Sequence, residues 1–343
     1  MTTISPSKQR YGYIDAMRGF SMFLVVFGHV ASLSMGVDDA LTHFFSSFRM
    51  PLFFFISGFI GFKPVSKWVL PFFVERCKLK FFVQIMPALI FCTIYLLAYK
   101  YNIYDFITNS YNGYWFTFCL LEMFLVYYCL SVIAAKVNEN ILVPSLITIS
   151  ILGIMYIIQF RRSGFFIGMF NVDNFAKYFQ FFVTGLIFSK YKDRVKILIS
   201  RDSVKTFLIS AFVLSFLFVE FEYLSGFIYK IFHDIILRYL GLFAVYSIFY
   251  SAKDVFDTEY KIVKVLKFVG RRTLDVYLLH YFFLPDLGDI TNVFYSIPGN
   301  KVVLEIALLF VLTLLVLFAC IASSWCIRQS KILAYWCFGA KSL

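Results

Sequence analysis

The chain has 343 residues, 61% of them hydrophobic, 21% aromatic and only 15% charged, with a formal net charge of +12. Soluble domains carry about a quarter charged residues, so this balance excludes a soluble fold, and no polar domain is left over for a single-span anchor to hold. The Lys and Arg excess lies in short clusters between apolar runs, as on the cytoplasmic face of membrane proteins, which argues against a nucleic-acid partner.

The composition predicts an all-α, polytopic integral membrane helical bundle, a single transmembrane domain over 1–343. Length and apolarity place about ten transmembrane helices at roughly 14–36, 44–62, 81–99, 114–135, 141–159, 175–190, 204–224, 235–251, 268–285 and 302–325. Lys8 and Arg10 precede the first span. The next loop, "MGVDDALTHF", has no Lys or Arg, and "FKPVSKWVLPFFVERCKLKF" then has five. Residues 190–205 hold six more and 253–272 another six. This alternation predicts both termini in the cytoplasm, with Arg161 and Arg162 as the main exceptions.

The first span, "YIDAMRGFSMFLVVFGHV", carries Asp15, Arg18 and His29. The stretch before it has no cleavage-site pattern, so a retained helix is expected. Eleven helical steps separate Arg18 from His29, which puts both on one face about 16 Å apart along the axis. Asp15 lies one turn before Arg18 on much the same stripe. An ionisable group in hydrocarbon costs a few kcal/mol or more, so the stripe should face the bundle interior or a hydrated cavity. Taken alone, the same residues fit a local Asp15–Arg18 pair and a His29 bonded to a neighbouring helix.

The second span, "FRMPLFFFISGFIGF", brings Arg49 at its outer end, then Pro51, Ser57 and Gly58. Proline frees a carbonyl, and the Ser-Gly pair suits close helix packing. Arg49 enters from the outside as His29 approaches from within, so the two are positioned to meet. The fourth span, "GYWFTFCLLEMFLVYYCL", contains Glu122, a functional candidate or a structural partner for an Arg or His. The ninth, "VGRRTLDVYLLHYFFLP", starts with Arg271 and Arg272. Asp275, one turn in, is expected to pair with one of them, and His280 falls at a depth like that of His29. Four spans thus contribute His29, Arg49, Glu122 and His280 to one layer, as a site inside a helical bundle requires. The seven cysteines form no C-x-x-C pair and are expected to be small hydrophobes without a metal or disulfide role.

These stretches resemble the membrane-bound acyltransferase 3 family. Asp15, Arg18 and His29 are similar to its opening D-x-x-R-G with R-x10-H. "FRMPLFFFISGFI" is similar to its second-span signature, and "FVERCKLKFFVQIMPALI" to its basic inner loop, with Arg76 and Pro87. Lys78 and Lys80 stand where members often have Arg. "YWFTFCLLEMF" resembles W-F-x-x-x-L, "YFQFFVTGLIFSKY" a Phe- and Gly-rich span, and "GRRTLDVYLLHYFFLP" the G-x-x-S-L-x-x-Y-L-x-H motif, with Thr273 in place of Ser.

The resemblance implies an O-acyltransferase, acetyl-CoA as cytoplasmic donor substrate with no bound cofactor or metal, and a cell-surface glycan or lipid-linked sugar as acceptor. It implies a bacterial inner membrane. An alcohol needs a base within reach, and imidazole, with an ordinary pKa of about 6.5, accepts a proton at working pH. His29 is the expected base. Arg49 or His280 would serve the oxyanion. Glu122 would orient His29 or bind acceptor hydroxyls. Asp15 and Arg18 lead to the donor mouth, where Arg18, Arg76, Lys78 and Lys80 suit phosphates. Ser57 is the candidate for an acyl-enzyme variant. The rival reading is a transporter or flippase for a sugar-containing substrate, in which the same polar groups relay protons or bind sugar.

Overall fold

The computed structural model describes residues 11–99, 113–160, 171–220, 226–258, 260–288, 290–291, 296 and 301–340. Every regular element among them is helical, as backbone in hydrocarbon demands. In chain order the helices are α1 (Gly12–His29), α2 (Ala40–Gly61), α3 (Leu70–Lys80), α4 (Met86–Tyr99), α5 (Trp115–Lys136), α6 (Leu142–Met155), α7 (Val172–Lys190), α8 (Lys192–Ile199), α9 (Asp202–Glu220), α10 (Gly226–Ile231), α11 (Leu237–Ser251), α12 (Lys261–Arg271), α13 (Thr273–Leu279), α14 (Val302–Ile327) and α15 (Lys331–Phe338).

Eight of these helical stretches are long and apolar enough to cross a membrane, and the protein is an integral, multi-pass membrane protein. Two of the ten expected spans fall short of that standard. α7 carries Asp173, Asn174, Lys177 and Gln180 in its first half, which lowers its hydropathy. It buries Asp173, Asn174 and Gln180 all the same, because it lies between α2 and α6. The expected ninth span is broken. α12 ends at Arg271, the following Arg272 leaves the α region (φ −110°, ψ 17°), and α13 restarts at Thr273. α12 sets Lys261, Lys264, Lys267 and Arg271 on one side and buries Val263, Val269 and Gly270, the pattern of a helix lying along an interface. The end of the seventh expected span, residues 221–224, and the cations Lys8, Arg10, Arg161 and Arg162 lie outside the described residues.

Local chemistry sets several boundaries. Asp39 caps α2 by accepting from Thr42 N (2.8 Å), while Asp39 N donates to Thr42 Oγ1 (3.1 Å), a reciprocal capping box. α2 continues through Pro51. π-helical turns at Val30–Met35, Phe81–Ile85 and Phe232–Ile236 widen the chain beside His29, Lys80 and Asp234, where such turns re-aim side chains.

Two tight crossings fix the centre. On α2 and α7, a Cβ at Gly58 would strike the Phe182 carbonyl, and one at Gly185 would strike the Phe55 carbonyl. On α1 and α12, Gly19 and Gly270 have the same reciprocal relation, against Leu266 O and Asp15 O. Backbones approach this closely only where side chains are missing. The expected packing role of the Ser57–Gly58 step therefore belongs to Gly58. Gly185→Leu is expected to lower stability by about 3 kcal/mol or more, since the clash is with backbone and not with a movable side chain. Thermal unfolding in detergent measures it; an unchanged midpoint would mean that the crossing is looser than described.

Candidate functional site

Polar side chains gather at two levels of the bundle. At the end rich in Lys and Arg, a cavity of about 470 Å³ opens among α1, α2, α3, α5, α13 and α14. Six cations line it, Arg18, Lys63, Arg76, Lys80, Arg271 and Arg328, against the single carboxylate of Asp275. Ser57, Gln84, Thr117 and Thr273 add neutral polar groups. The balance makes this a container for an anionic ligand.

The cations are held by identifiable partners. Arg18 Nη2 donates to Thr273 Oγ1 (2.8 Å), and its Nη1 stands 4.0 Å from Asp15 Oδ1, the local i,i+3 pair that the sequence allowed. Lys80 Nζ lies 3.4 Å from the centroid of Phe124, and the Arg76 guanidinium 4.7 Å from that of Phe72. Lys78 is exposed and does not line the cavity. Two helical steps turn it about 200° from both Arg76 and Lys80, so the sequence grouping of the three separates in space.

Asp275 is 3% exposed and receives two hydrogen bonds from Arg328, at 2.8 Å each, one from Ser324 and a longer one of 3.4 Å from Arg272. The expected partner, Arg271 or Arg272, is thus secondary. The main one comes from the end of α14, a residue the sequence reading did not single out.

Beyond the cavity stands an aromatic layer. Phe53, Phe116 and Tyr277 line its far side, with ring centroids 5.7 Å (Phe53–Phe116) and 5.6 Å (Phe116–Tyr277) apart. Met22 also lines the cavity; His29 lies seven residues further along α1, about 10 Å deeper.

There His29 meets the following turn of α13. Its ring centroid is 5.1 Å from that of His280 and 5.2 Å from that of Tyr281, and its Nε2 is 3.4 Å from the Tyr281 hydroxyl. Tyr281 also reaches Gly113 O at 3.2 Å. One hydroxyl proton serves only one of these acceptors. When it goes to Gly113, Tyr281 accepts from His29 Nε2–H and Nδ1 of His29 keeps its lone pair. His280 is fully buried, and its Nδ1 lies 2.7 Å from Tyr277 O and 3.2 Å from Val276 O. Carbonyls only accept, so Nδ1 carries the proton; the buried Nε2 has no hydrogen-bond partner among the described residues. A neutral His280 therefore offers an acceptor there, which suits it poorly to hold an oxyanion.

Arg49 arrives as the sequence expected. Its Nη1 is 3.4 Å from Leu24 O, and a Cβ on Gly28 would strike the guanidinium, so the group lies against α1 at the residue before His29. No carboxylate pairs with it among the described residues. Glu122 stays apart: it is half-buried, makes no hydrogen bond or ion pair among the described residues, and sits about 200° round α5 from the cavity-lining Leu120 and Phe124. Ser57 faces the cavity at the basic end, away from both imidazoles. No group of three metal-ligating side chains occurs among the described residues, and all seven cysteines are free thiols.

A family model described as an acyltransferase domain, that of the acyltransferase 3 family, matches residues 11–325. The chain belongs to that family. No curated relative and no solved structure matches it. Membership makes the protein a membrane acyltransferase, which needs an acyl donor and an acceptor and works within a lipid bilayer. Among the described residues, the basic cavity and the imidazole pair are two places where chemistry-bearing groups converge.

Tyr281 is the participant that sequence reasoning missed. It follows His280 directly, but with 23 Tyr and 46 Phe in the chain an aromatic residue carries no signal by itself.

Proposed function

We propose that the protein is an O-acyltransferase that moves an acetyl group from acetyl-CoA to a hydroxyl of a cell-surface glycan or its lipid-linked precursor, with His29 as general base. The reading rests above all on one observation: α1 carries Arg18 into the basic cavity and, on the same face, His29 into the imidazole pair. Family membership favours a transferase over the transporter reading. The basic end would face the cytoplasm, where Lys and Arg accumulate, with both termini on that side of a bacterial inner membrane.

In this mechanism the nucleotide phosphates bind among Arg18, Arg76 and Lys80, through charge-assisted contacts. The thioester passes the layer of Phe53, Phe116 and Tyr277 and reaches His29. An imidazole nitrogen takes the acceptor O–H proton as the oxygen attacks the thioester carbonyl. Arg49 donates to the oxyanion of the tetrahedral intermediate, a part for which His280 Nε2 is poorly suited. Collapse breaks the C–S bond, and the imidazolium returns the proton to the departing thiolate. Direct transfer is favoured over an acyl-Ser57 intermediate, because the cavity that Ser57 lines holds no imidazole among the described residues.

The test is whether the purified protein consumes acetyl-CoA only when an acceptor is supplied, together with mass spectrometry of the surface glycan from cells with and without the protein. An unchanged glycan and no donor consumption would sink the proposal. Arg18→Gln and Arg76→Gln are each expected to weaken donor binding by about tenfold, with little change in acceptor KM. Titration with coenzyme A checks this; unaltered donor affinity in both would move the donor elsewhere.

A further inference from the structure

A second cluster of cations lies beyond Arg49, on α7, α11 and the π-helical turn before α11. Arg238 is 5% exposed. Its Nη2 is 3.2 Å from Asp234 Oδ1 and its Nη1 3.5 Å from the Tyr178 hydroxyl, while its buried Nε has no hydrogen-bond partner among the described residues. Lys177 stands 3.5 Å from the same Asp234 oxygen, and His233 Nδ1 3.2 Å from it. Lys177 Nζ and the Arg238 guanidinium each stand 5.8 Å from the Tyr178 ring centroid, and Tyr178 stacks on Phe54 (5.0 Å), of the same helix as Arg49, whose charge acts on both Tyr178 and Tyr281. Asp173, one turn before Lys177, is held by Tyr156 (3.0 Å) and forms no pair with Lys177.

Among the described residues, Lys177 and Arg238 therefore share the one carboxylate of Asp234, and Arg49 pairs with none. Two positive charges are left over around Tyr178, in a region that is largely removed from water. Such charges are expensive unless an anion completes the set. An excess of two matches a phosphate or pyrophosphate dianion better than a lone carboxylate, and a guanidinium presents paired N–H donors to it.

We propose that Arg49, Lys177 and Arg238 form a seat for a phosphate group carried by the acceptor. This rests on the acyl-transfer reading above and extends it to the class of acceptor. The phosphate anchors the acceptor at Tyr178, and Arg49 links that anchor to the His29–Tyr281 pair, where a sugar hydroxyl is presented for acylation. The seat is separate from the basic cavity, whose lining includes none of its three cations.

The experiment titrates the full-length protein in lipid nanodiscs with glucose 1-phosphate and with glucose, while coenzyme A saturates the basic cavity. Glucose 1-phosphate should bind at least about tenfold more tightly than glucose, and Arg238→Gln should erase the difference. Arg238→Lys should restore part of it, and thermal unfolding of each variant separates loss of binding from loss of fold. Polyprenyl phosphate added to the nanodisc serves as a competitor. Competition supports the seat and marks a lipid-linked phosphate as its source; phosphate-dependent binding without competition supports it with a glycan phosphate as the source. Equal affinity for the two sugars, or a preference that survives Arg238→Gln in the folded variant, overturns the proposal. Absence of acyl transfer to every acceptor would instead defeat the enzymatic reading and leave the phosphate-binding difference standing.

Discussion

His29→Ala is expected to lower acyl transfer by about two to four orders of magnitude, the range supplied by a positioned general base. The protein should still reach the membrane and unfold at nearly the wild-type temperature. His29 is only partly buried, and its neighbours Tyr281 and His280 keep their own bonds to Gly113 and Tyr277 without it. Coenzyme A should bind as before, because the cavity at Arg18 lies about 16 Å away along α1. The pattern of intact donor binding with lost turnover separates a chemical role from a structural one. Full transfer by a folded His29→Ala protein would remove this imidazole from the mechanism.

Asp275→Ala should lower stability by about 3 kcal/mol. Removing one partner of a buried ion pair typically costs 3–5 kcal/mol, and the partial exposure of Arg328 (22%) and Arg272 (34%) puts this case at the low end. The carboxylate ties α13 to the end of α14 through Arg328 and Ser324, and the deletion leaves both without their acceptor. Because Arg328 and Asp275 both line the basic cavity, donor affinity should change along with stability. Asp275→Asn should be milder, since the amide oxygen still accepts from Arg328. Denaturation in detergent, followed by intrinsic fluorescence, decides the matter. A midpoint unchanged in Asp275→Ala would show that the cluster holds nothing together.

Some of the site was legible before any coordinates. Arg18 and His29 share a helical face at fixed spacing, so their common stripe followed from 100° per residue. Arg49 could be matched to His29 by depth alone, because each position is measured from the end of its own helix. Depth does not give direction across the bundle, however. Glu122 lies about 12 Å along α5 from Tyr114, which packs on Tyr281, so it falls at the depth of the basic cavity and not of the imidazole layer, and on another side of α5; Lys78 has the neighbours but not the face. Asp275 was recognised as a paired carboxylate, yet its main partner lies 53 residues further along, where no local rule applies.

The broken ninth span shows a related limit. A hydropathy window averages the basic face of α12 with the apolar α13, and only the packing of Val263, Val269 and Gly270 on α1 separates them. α7 shows the reverse, a helix too polar for the window that is nonetheless buried.

Composition and periodicity by themselves determined the helical membrane class, the approximate helical segments and the stripe on α1, because each depends on the bilayer or on one helix alone. The tertiary structure decided which polar groups meet: Arg328 with Asp275, Tyr281 with His29, Arg238 with Asp234 and Tyr178. Those meetings depend on how each helix is rotated against its neighbours, and that rotation is set by glycine-to-backbone crossings and aromatic packing between distant segments, which no single stretch of sequence contains.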